Sequence, residues 1–481
     1  MVAYGISSGV HVGGVRRAVA CSVVILAAGQ GTRMRSDLPK VLHLVGGKPL
    51  LAHVVDTATQ LGAARVCVVY GHGGDRVRAA LSHLPITWVE QAEQLGTGHA
   101  VAQALPHLPH NDTMLVLYGD VPLIRPDTLH ALLSAAAPSD DAPQGSLALL
   151  TAHVPDPSGY GRILRDDQDR VVGIVEDKDA TRTQRSIREI NTGILAVQGA
   201  SLARWIAQLN PRNAQGEYYL TDIVERAVLD GVPVQAFQPN AITEILGVNH
   251  RAQLAELERA YQLRQAHDLM IVGVTLRDPA RFDLRGTLTV GRDVEIDLDV
   301  LLEGNVHLGH RVRIGPYCCL KNVTLAADTE VRAHSVLEGV TAGEACILGP
   351  FARVRPGTKL GARVHVGNFV ELKQTQVDEG SKINHLSYVG DAQIGRDVNI
   401  GAGTITCNYD GHHKHRTVLG DRAFIGSNTA LVAPVEVGAD ATIGAGSTIT
   451  RSAPPEALTL SRAPQETRPG WKRVTKKDST V

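Results

Sequence analysis

Aromatic side chains are scarce in this 481-residue chain: Phe, Trp and Tyr together make up only 4% of it. A core built around stacked rings is therefore excluded for most of its length. The 48 glycines point instead to tight, repetitive backbone. The six cysteines (Cys21, Cys67, Cys318, Cys319, Cys346, Cys407) form neither a CxxC pair nor a Cys/His spacing, which excludes a zinc module and a disulfide scaffold. Reduced thiols of a cytoplasmic protein are the expectation. A formal net charge of -1 gives no general attraction for nucleic acid or an anionic membrane. No apolar run reaches the roughly 18 residues of a spanning helix, so stable membrane insertion is not expected.

What is present is globular, with 43% hydrophobic and 20% charged residues, and too long for one ordinary core. Two unlike halves can be distinguished. Over 22–250, apolar runs alternate with glycine turns and helical patterns: Val23–Leu26, Arg65–Tyr70, Met114–Tyr118 and Leu147–Leu150. Such runs predict a mainly parallel α/β sheet covered on both faces. Arg16 and Arg17 before the apolar run 18–28 resemble the start of a signal peptide, but that run also reads as the first buried strand. Over 251–271 a helix is predicted, with Leu254, Leu257 and Tyr261 on one face.

After this linker the period becomes six. Val290, Ile296, Leu302, Leu308, Ile314 and Leu320 keep the beat. So do Val354, Leu360, Val366 and Leu372, and again Leu419, Ile425, Leu431, Val437, Ile443 and Ile449. A glycine follows many of them, among them Gly291, Gly309, Gly361, Gly426 and Gly444. Six is no helical period; it fits one short strand per face of a three-sided β-helix, about nine coils between Val290 and Ile449. The glycines would supply positive φ or close approach at the corners. The polar stretch 406–417 interrupts the beat and should protrude, and protruding loops on rigid scaffolds carry ligand contacts.

Two clusters carry chemistry. The turn Leu26-Ala27-Ala28-Gly29-Gln30-Gly31-Thr32-Arg33 follows the first strand directly. It lacks the third glycine of a dinucleotide fingerprint and the ending of a P-loop, yet its small residues let backbone N–H groups approach a triphosphate, with Arg33 and Lys40 adding positive charge. Asp120 ends a predicted strand, where open α/β sheets bind ligands. Asn249, just before the linker helix, reads on its own as an N-cap. In the second half, His385 is a candidate base near neutral pH, and Arg355 and Lys373 form a candidate phosphate grip.

The turn, with Ser36-Asp37-Leu38-Pro39-Lys40, resembles the signature of sugar-1-phosphate nucleotidyltransferases. Further segments are Gln91 to Gly98, Tyr118-Gly119-Asp120-Val121-Pro122, Gly159 to Arg162, Glu176-Asp177-Lys178, Glu189 to Gly193 and Gly247-Val248-Asn249. With the hexapeptide half, they resemble the bacterial bifunctional UDP-N-acetylglucosamine pyrophosphorylase/glucosamine-1-phosphate N-acetyltransferase family, from Ser22 to the mid-460s. The resemblance implies a Rossmann-like nucleotidyltransferase domain (22–250), a helical linker (251–271) and a left-handed parallel β-helix (272–465). Residues 1–21 would be an extension without counterpart, and 466–481 a solvated basic tail.

The resemblance also implies roles. Leu26, Ala27, Ala28, Gly29, Gln91, Gly96 and Thr97 would hold UTP, with Arg33 and Lys40 on its phosphates. Tyr118 and Gly119 would line the same site, and Gly161, Glu176 and Asn191 would hold the sugar. Asp120 and Asn249 would carry Mg²⁺. In the second half His385 would be the base, with Arg355, Lys373, Tyr388 and Asn399 on the amino-sugar phosphate. Acetyl-coenzyme A would meet Ala402, Asn408, Tyr409, Ser427, Ala445 and Arg462. Such acetyltransferases place their sites between neighbouring prisms, so a homotrimer is implied. No matched functional position is substituted. The competing expectations are a single-activity pyrophosphorylase with a regulatory β-helix, and a non-enzymatic scaffold.

Overall fold

A computed structural model describes residues 20–29, 31–71 and 73–473. Most of the expected extension, Gln30 of the glycine turn and residues 474–481 of the basic tail lie outside the described residues. The chain divides into two compact units between Gln265 and Ala266.

The first unit begins with β1 (Cys21–Ala27), which starts one residue inside the expected extension. It is followed by a small hairpin, β2 (Leu44–Val45) and β3 (Lys48–Pro49), and α1 (Leu50–Gln60). Then come β4 (Arg65–Tyr70), α2 (Gly74–Ala80), β5 (Thr87–Glu90), α3 (Thr97–Ala104), β6 (Thr113–Tyr118) and α4 (Pro126–Ala136). The rest is β7 (Leu147–His153), β8 (Arg162–Arg165), β9 (Val171–Val175), β10 (Glu189–Gln198), α5 (Gly199–Ile206), α6 (Ile223–Leu229) and β11 (Val234–Phe237). The main path of the sheet runs β11-β7-β10-β6-β1-β4-β5.

Both faces of β1 are covered. Val23 and Ile25 pack in the layer of Leu51 and Val54, Val24 and Leu26 in the layer of Val101 and Trp205. Complete burial of each such side chain stabilises by about 1.5–3 kcal/mol. Along that path the expected parallel sheet has one exception, β10, which runs antiparallel to both β6 and β7, and off the path β8 pairs antiparallel with β9 and β10.

The helix predicted near 251–269 is α7 (Arg251–Ile271). Leu257 is buried beside Met34, Leu50 and Val248, with Leu254 and Tyr261 flanking it as the pattern predicts. The β2–β3 turn fits beneath: a Cβ at Gly46 would lie 2.1 Å from the Tyr261 ring. Gly46 N donates to Glu258 Oε2 at 2.8 Å.

The second unit is a parallel β-helix. One face is an 11-stranded ladder from Thr275–Leu276 to Leu458–Thr459; the other faces form a 17-stranded set from Phe282–Val290 to Thr448–Ile449. The helix is therefore longer than the Val290–Ile449 register suggested. The six-beat aliphatics fill one continuous core. The beat also slips more often than the sequence pattern implied. Ladder partners such as Ile314 and Val331, or Val366 and Ile383, are separated by a coil of 17 rather than 18 residues.

The corner glycines do both jobs expected of them, at different positions. Those following the core aliphatics allow coils to approach; a Cβ on Gly426 would lie 2.5 Å from Ala445 N. Positive φ falls on other corner glycines, such as Gly304, Gly349 and Gly403, and also on non-glycine residues including Tyr317, His334, Phe351, Phe369 and Leu386. Backbone bonds to the previous coil, such as His334 N to Pro316 O and Phe351 N to Ala333 O at 3.0 Å each, offset that strain.

Candidate active sites

In the first unit, β1 and β6 end side by side, with Leu26 paired to Tyr118 and Gly119 N donating to Leu26 O at 2.9 Å. Beyond these ends, four separated residues form two pairs. Lys40 Nζ meets Asp120 Oδ2, and Arg33 Nη2 donates to Asn249 Oδ1 at 2.8 Å. Val248 N donates to Asp120 O at 3.1 Å, bringing the chain at Asn249 beside Asp120. The N-cap alternative for Asn249 is not realised, because its oxygen faces Arg33 while Gln253 N donates to His250 Nδ1 at 3.3 Å.

Around this centre, Ala28 O accepts from Gln94 Nε2 at 2.9 Å. Gly29 leaves open space where a side chain would stand. Gln91 is buried, donating to Gly96 O at 3.1 Å and meeting His99 Nδ1 at 3.1 Å. Gly96 has φ +106, and a Cβ there would lie 2.7 Å from Tyr218 O, so only glycine fits ahead of α3. Thr97 opens that helix and accepts Leu220 N at 3.1 Å.

Asn191 N donates to Gly161 O at 2.8 Å, and a Cβ on Gly161 would lie 3.4 Å from the Glu176 carboxylate. Burial, with Asp222, Asp179 and Asp177 adding repulsion, pushes Glu176 above the usual carboxylate range, against the Thr221 hydroxyl at 2.9 Å. The Tyr118 hydroxyl is held un-ionised by burial and by the charges of Glu176 and Asp120.

In the second unit, Arg355, Lys373 and Asp391 follow core strands at one corner of successive coils. Lys373 Nζ pairs with Asp391 at 3.2 Å, and Arg355 with Glu371 at 3.1 Å. The Asn408 amide donates to Asp391 Oδ2 and reaches the Tyr388 hydroxyl at 3.5 Å. Tyr388 is in register with Glu371. On the adjoining face, His385 Nδ1 lies 2.8 Å from Asn368 Oδ1, and Asn399 lies one coil on from Lys382.

Of the stretch 406–417 expected to protrude, Thr406 and Cys407 end one ladder strand and Thr417 begins the next, with both threonines buried in the prism, so only 408–416 is inserted at that corner. Asp410 accepts His412 N and His413 N at 2.7 and 2.6 Å and meets His415 Nε2 at 2.6 Å. Lys414 lies over the Tyr409 ring at 5.3 Å. A side-chain hydrogen bond with Lys373 and then the charge of Lys373, with a smaller share from Arg355, lower the affinity of Lys414 for its proton, so three basic side chains converge here.

Ala402, Ser427, Ala445 and Arg462 form a separate column. Asn428 N donates to Ala402 O at 2.7 Å, Gly446 N to Ser427 O at 2.8 Å, and Arg462 Nη1 to Ala445 O at 2.6 Å. Asn408 turns instead toward Asp391 and Tyr388.

Asp391, Asn368 and Lys414 had no role assigned from the sequence. A signal existed: Asp391 lies 18 residues after Lys373 and His385 lies 17 after Asn368, one coil in each case. Lys414 carried no such signal, since the insertion has no period.

Both units match known protein families. Residues 23–158 match the MobA-like NTP transferase domain, 284–377 the GMPPB C-terminal domain, and 416–451 six bacterial transferase hexapeptide repeats. A UDP-glucose pyrophosphorylase solved with UDP-glucose is 17% identical, with TM-score 0.41 over 50% of this chain and 98% of that one. A nucleotidyl transferase from Methanothermobacter is 20% identical, with TM-score 0.37 over 51% and 99%. Neither likeness is strong enough to weigh in the assignment. The bifunctional protein GlmU of Alkalilimnicola ehrlichii is 58% identical over 454 residues, 94% of this chain and 96% of that protein. With nucleotidyltransferase and hexapeptide domains joined in one polypeptide, the chain belongs to the GlmU family of bifunctional UDP-N-acetylglucosamine pyrophosphorylase/glucosamine-1-phosphate N-acetyltransferases.

Proposed function

We propose that the two units catalyse consecutive steps in UDP-N-acetylglucosamine synthesis, with residues 22–250 performing uridylyl transfer and 272–465 acetyl transfer on either side of the 251–271 helix. The product would feed bacterial cell-wall synthesis.

In the first reaction, the amine of glucosamine-1-phosphate attacks the thioester carbonyl carbon of acetyl-coenzyme A. The C–N bond forms, the C–S bond breaks, and coenzyme A leaves as the thiol. His385 takes the amine proton and passes it to the departing sulfur. Arg355 and Lys373 bind the sugar phosphate, the first through its planar fork and the second as a point charge. Tyr388 and Asn399 orient the amino sugar. Ala402, Ser427, Ala445 and Arg462 bind acetyl-coenzyme A along their column, with Asn408 and Tyr409 from the inserted loop.

In the second reaction, a phosphate oxygen of N-acetylglucosamine-1-phosphate attacks the α-phosphorus of UTP, and the bond to pyrophosphate breaks. Leu26, Ala27, Ala28 and Gly29 line the nucleotide, and Gln91, Gly96 and Thr97 face uracil. Gly161, Glu176 and Asn191 hold the sugar beside Tyr118 and Gly119. Arg33 and Lys40 neutralise the phosphates, so positioning and charge carry most of the catalysis. Asp120 and Asn249 fit a divalent cation by donor chemistry: a carboxylate and an amide oxygen, both hard, each already meeting a cationic side chain. Mg²⁺ held there would neutralise further phosphate charge.

A homotrimer completes the reading. Its support is an exposed column along one corner of the β-helix, in which Tyr317, His334, Phe351 and Phe369 stack with ring centroids 4.8, 4.7 and 5.2 Å apart. No helix among the described residues is long and apolar enough to cross a membrane, and the substrates are those of the cytoplasm, where we place the protein.

The observation that carries the proposal is the second cluster, since a purely regulatory or scaffolding β-helix has no need for Arg355, Lys373, Tyr388 and His385 together. The test supplies one substrate set at a time to the purified chain. Thiol should be released from acetyl-coenzyme A with glucosamine-1-phosphate, and pyrophosphate from UTP only with N-acetylglucosamine-1-phosphate and Mg²⁺. Failure of thiol release would leave a single-activity pyrophosphorylase. His385→Ala should abolish only the first reaction and Asp120→Ala only the second.

A further inference from the structure

A general base must present an unprotonated nitrogen to the substrate, so the proton on its other ring nitrogen needs a fixed home. His385 Nδ1 lies 2.8 Å from Asn368 Oδ1. An amide oxygen can only accept, which places the proton on Nδ1 and leaves Nε2 with its lone pair.

The backbone makes this pairing a rung of the fold. Asn368 and His385 are register partners on adjacent coils, and Leu386 N donates to Asn368 O at 3.0 Å. Next to them the coils approach so closely that a Cβ on Gly367 would lie 1.9 Å from Asn384 O. Phe369 and Leu386, which follow the two residues, both hold positive φ at the same corner, with Phe369 N bonded to Phe351 O at 3.2 Å. The spacing between the two side chains is thus set by main chain. His385 itself is exposed, with little packing of its own to orient the ring.

We infer that Asn368 is the positioning residue of the acetyl-transfer base, selecting the His385 tautomer that leaves Nε2 free. This inference rests on His385 being that base. Asn368 touches no reacting atom and acts only through the imidazole. A neutral amide, unlike a carboxylate, orients the ring without setting a net negative charge beside it.

The test uses the full-length chain and both reactions. Asn368→Ala should lower kcat for acetyl transfer by about 10- to 100-fold, short of the roughly 10²–10⁴ that a general base contributes as a whole. KM for glucosamine-1-phosphate and the rate of uridylyl transfer should stay at wild-type values. Asn368→Asp, of the same shape, should retain activity but move the acidic limb of the acetylation pH profile to higher pH, because a carboxylate favours the imidazolium. A structural role alone would not move that limb. Wild-type kcat in Asn368→Ala, or an Asn368→Asp profile that superimposes on the wild type, overturns the inference. His385→Ala run in parallel separates the two readings. If it still acetylates, the base itself is misassigned; if it is dead while Asn368→Ala is fully active, only the positioning role falls.

Discussion

His53 in α1 places Nε2 2.8 Å from the Val45 carbonyl and its ring edge-on to Tyr261, centroids 5.1 Å apart. Burial lowers its pKa from 6.5 to about 4. Between those values the unfolded chain binds a proton that the folded one refuses. The contribution is therefore complete above pH 6.5 and is lost as pH falls toward 4, up to about 3 kcal/mol in all. Urea unfolding of the first unit should show this loss between pH 7 and pH 5, and His53→Gln should flatten it. A second residue-scale prediction concerns Gly193, whose φ is +84 and where a Cβ would lie 2.4 Å from the Tyr118 ring. Gly193→Ala should displace that ring from the sugar site, destabilise by about 1–3 kcal/mol, and raise KM for N-acetylglucosamine-1-phosphate while acetylation continues unchanged.

The inserted loop shows how an element without periodicity acquires a shape. Its two ends are joined through Asp391, whose carboxylate accepts the Asn408 amide and whose carbonyl accepts Thr417 N at 3.3 Å. Inside, Asp410 gathers two backbone N–H groups and His415, which hold its carboxyl well below the usual carboxylate range. Asp391→Ala should release the loop and unpair Lys373. We expect faster amide exchange over 408–416 by mass spectrometry and at least a 10-fold loss of acetylation, with uridylyl transfer retained. Unchanged exchange in an inactive variant would mean that Asp391 acts only through Lys373. The sequence located this loop by the failure of the six-beat; its internal bonds follow from Asx and histidine contacts that no period announces.

At the scale of the whole molecule, the exposed column of Tyr317, His334, Phe351 and Phe369 is apolar surface that a lone chain leaves in water: Phe351 is 47% and Phe369 55% exposed. On the proposed trimer, Phe351→Glu should lower the assembly from three times the 51.3 kDa chain mass toward one, read by analytical ultracentrifugation. Acetylation should fall with it, since the resemblance places that site between prisms, and uridylyl transfer should persist. A trimeric Phe351→Glu variant would show that the column lies outside the interface.

The sequence by itself determined the two fold classes, because hydrophobic period is a local property: four-residue apolar runs mark covered strands, and a six-residue beat marks a β-helix. It also determined most candidate residues, since motifs keep functional side chains at short, readable spacings. Only the tertiary structure decided how β10 enters the sheet, that Lys40 meets Asp120 and Arg33 meets Asn249, and that Asn368 lies beside His385. Those contacts join residues 17 to 216 positions apart. Their partners are chosen by register and chain path, which depend on the whole packed fold and leave little trace in any local stretch of sequence.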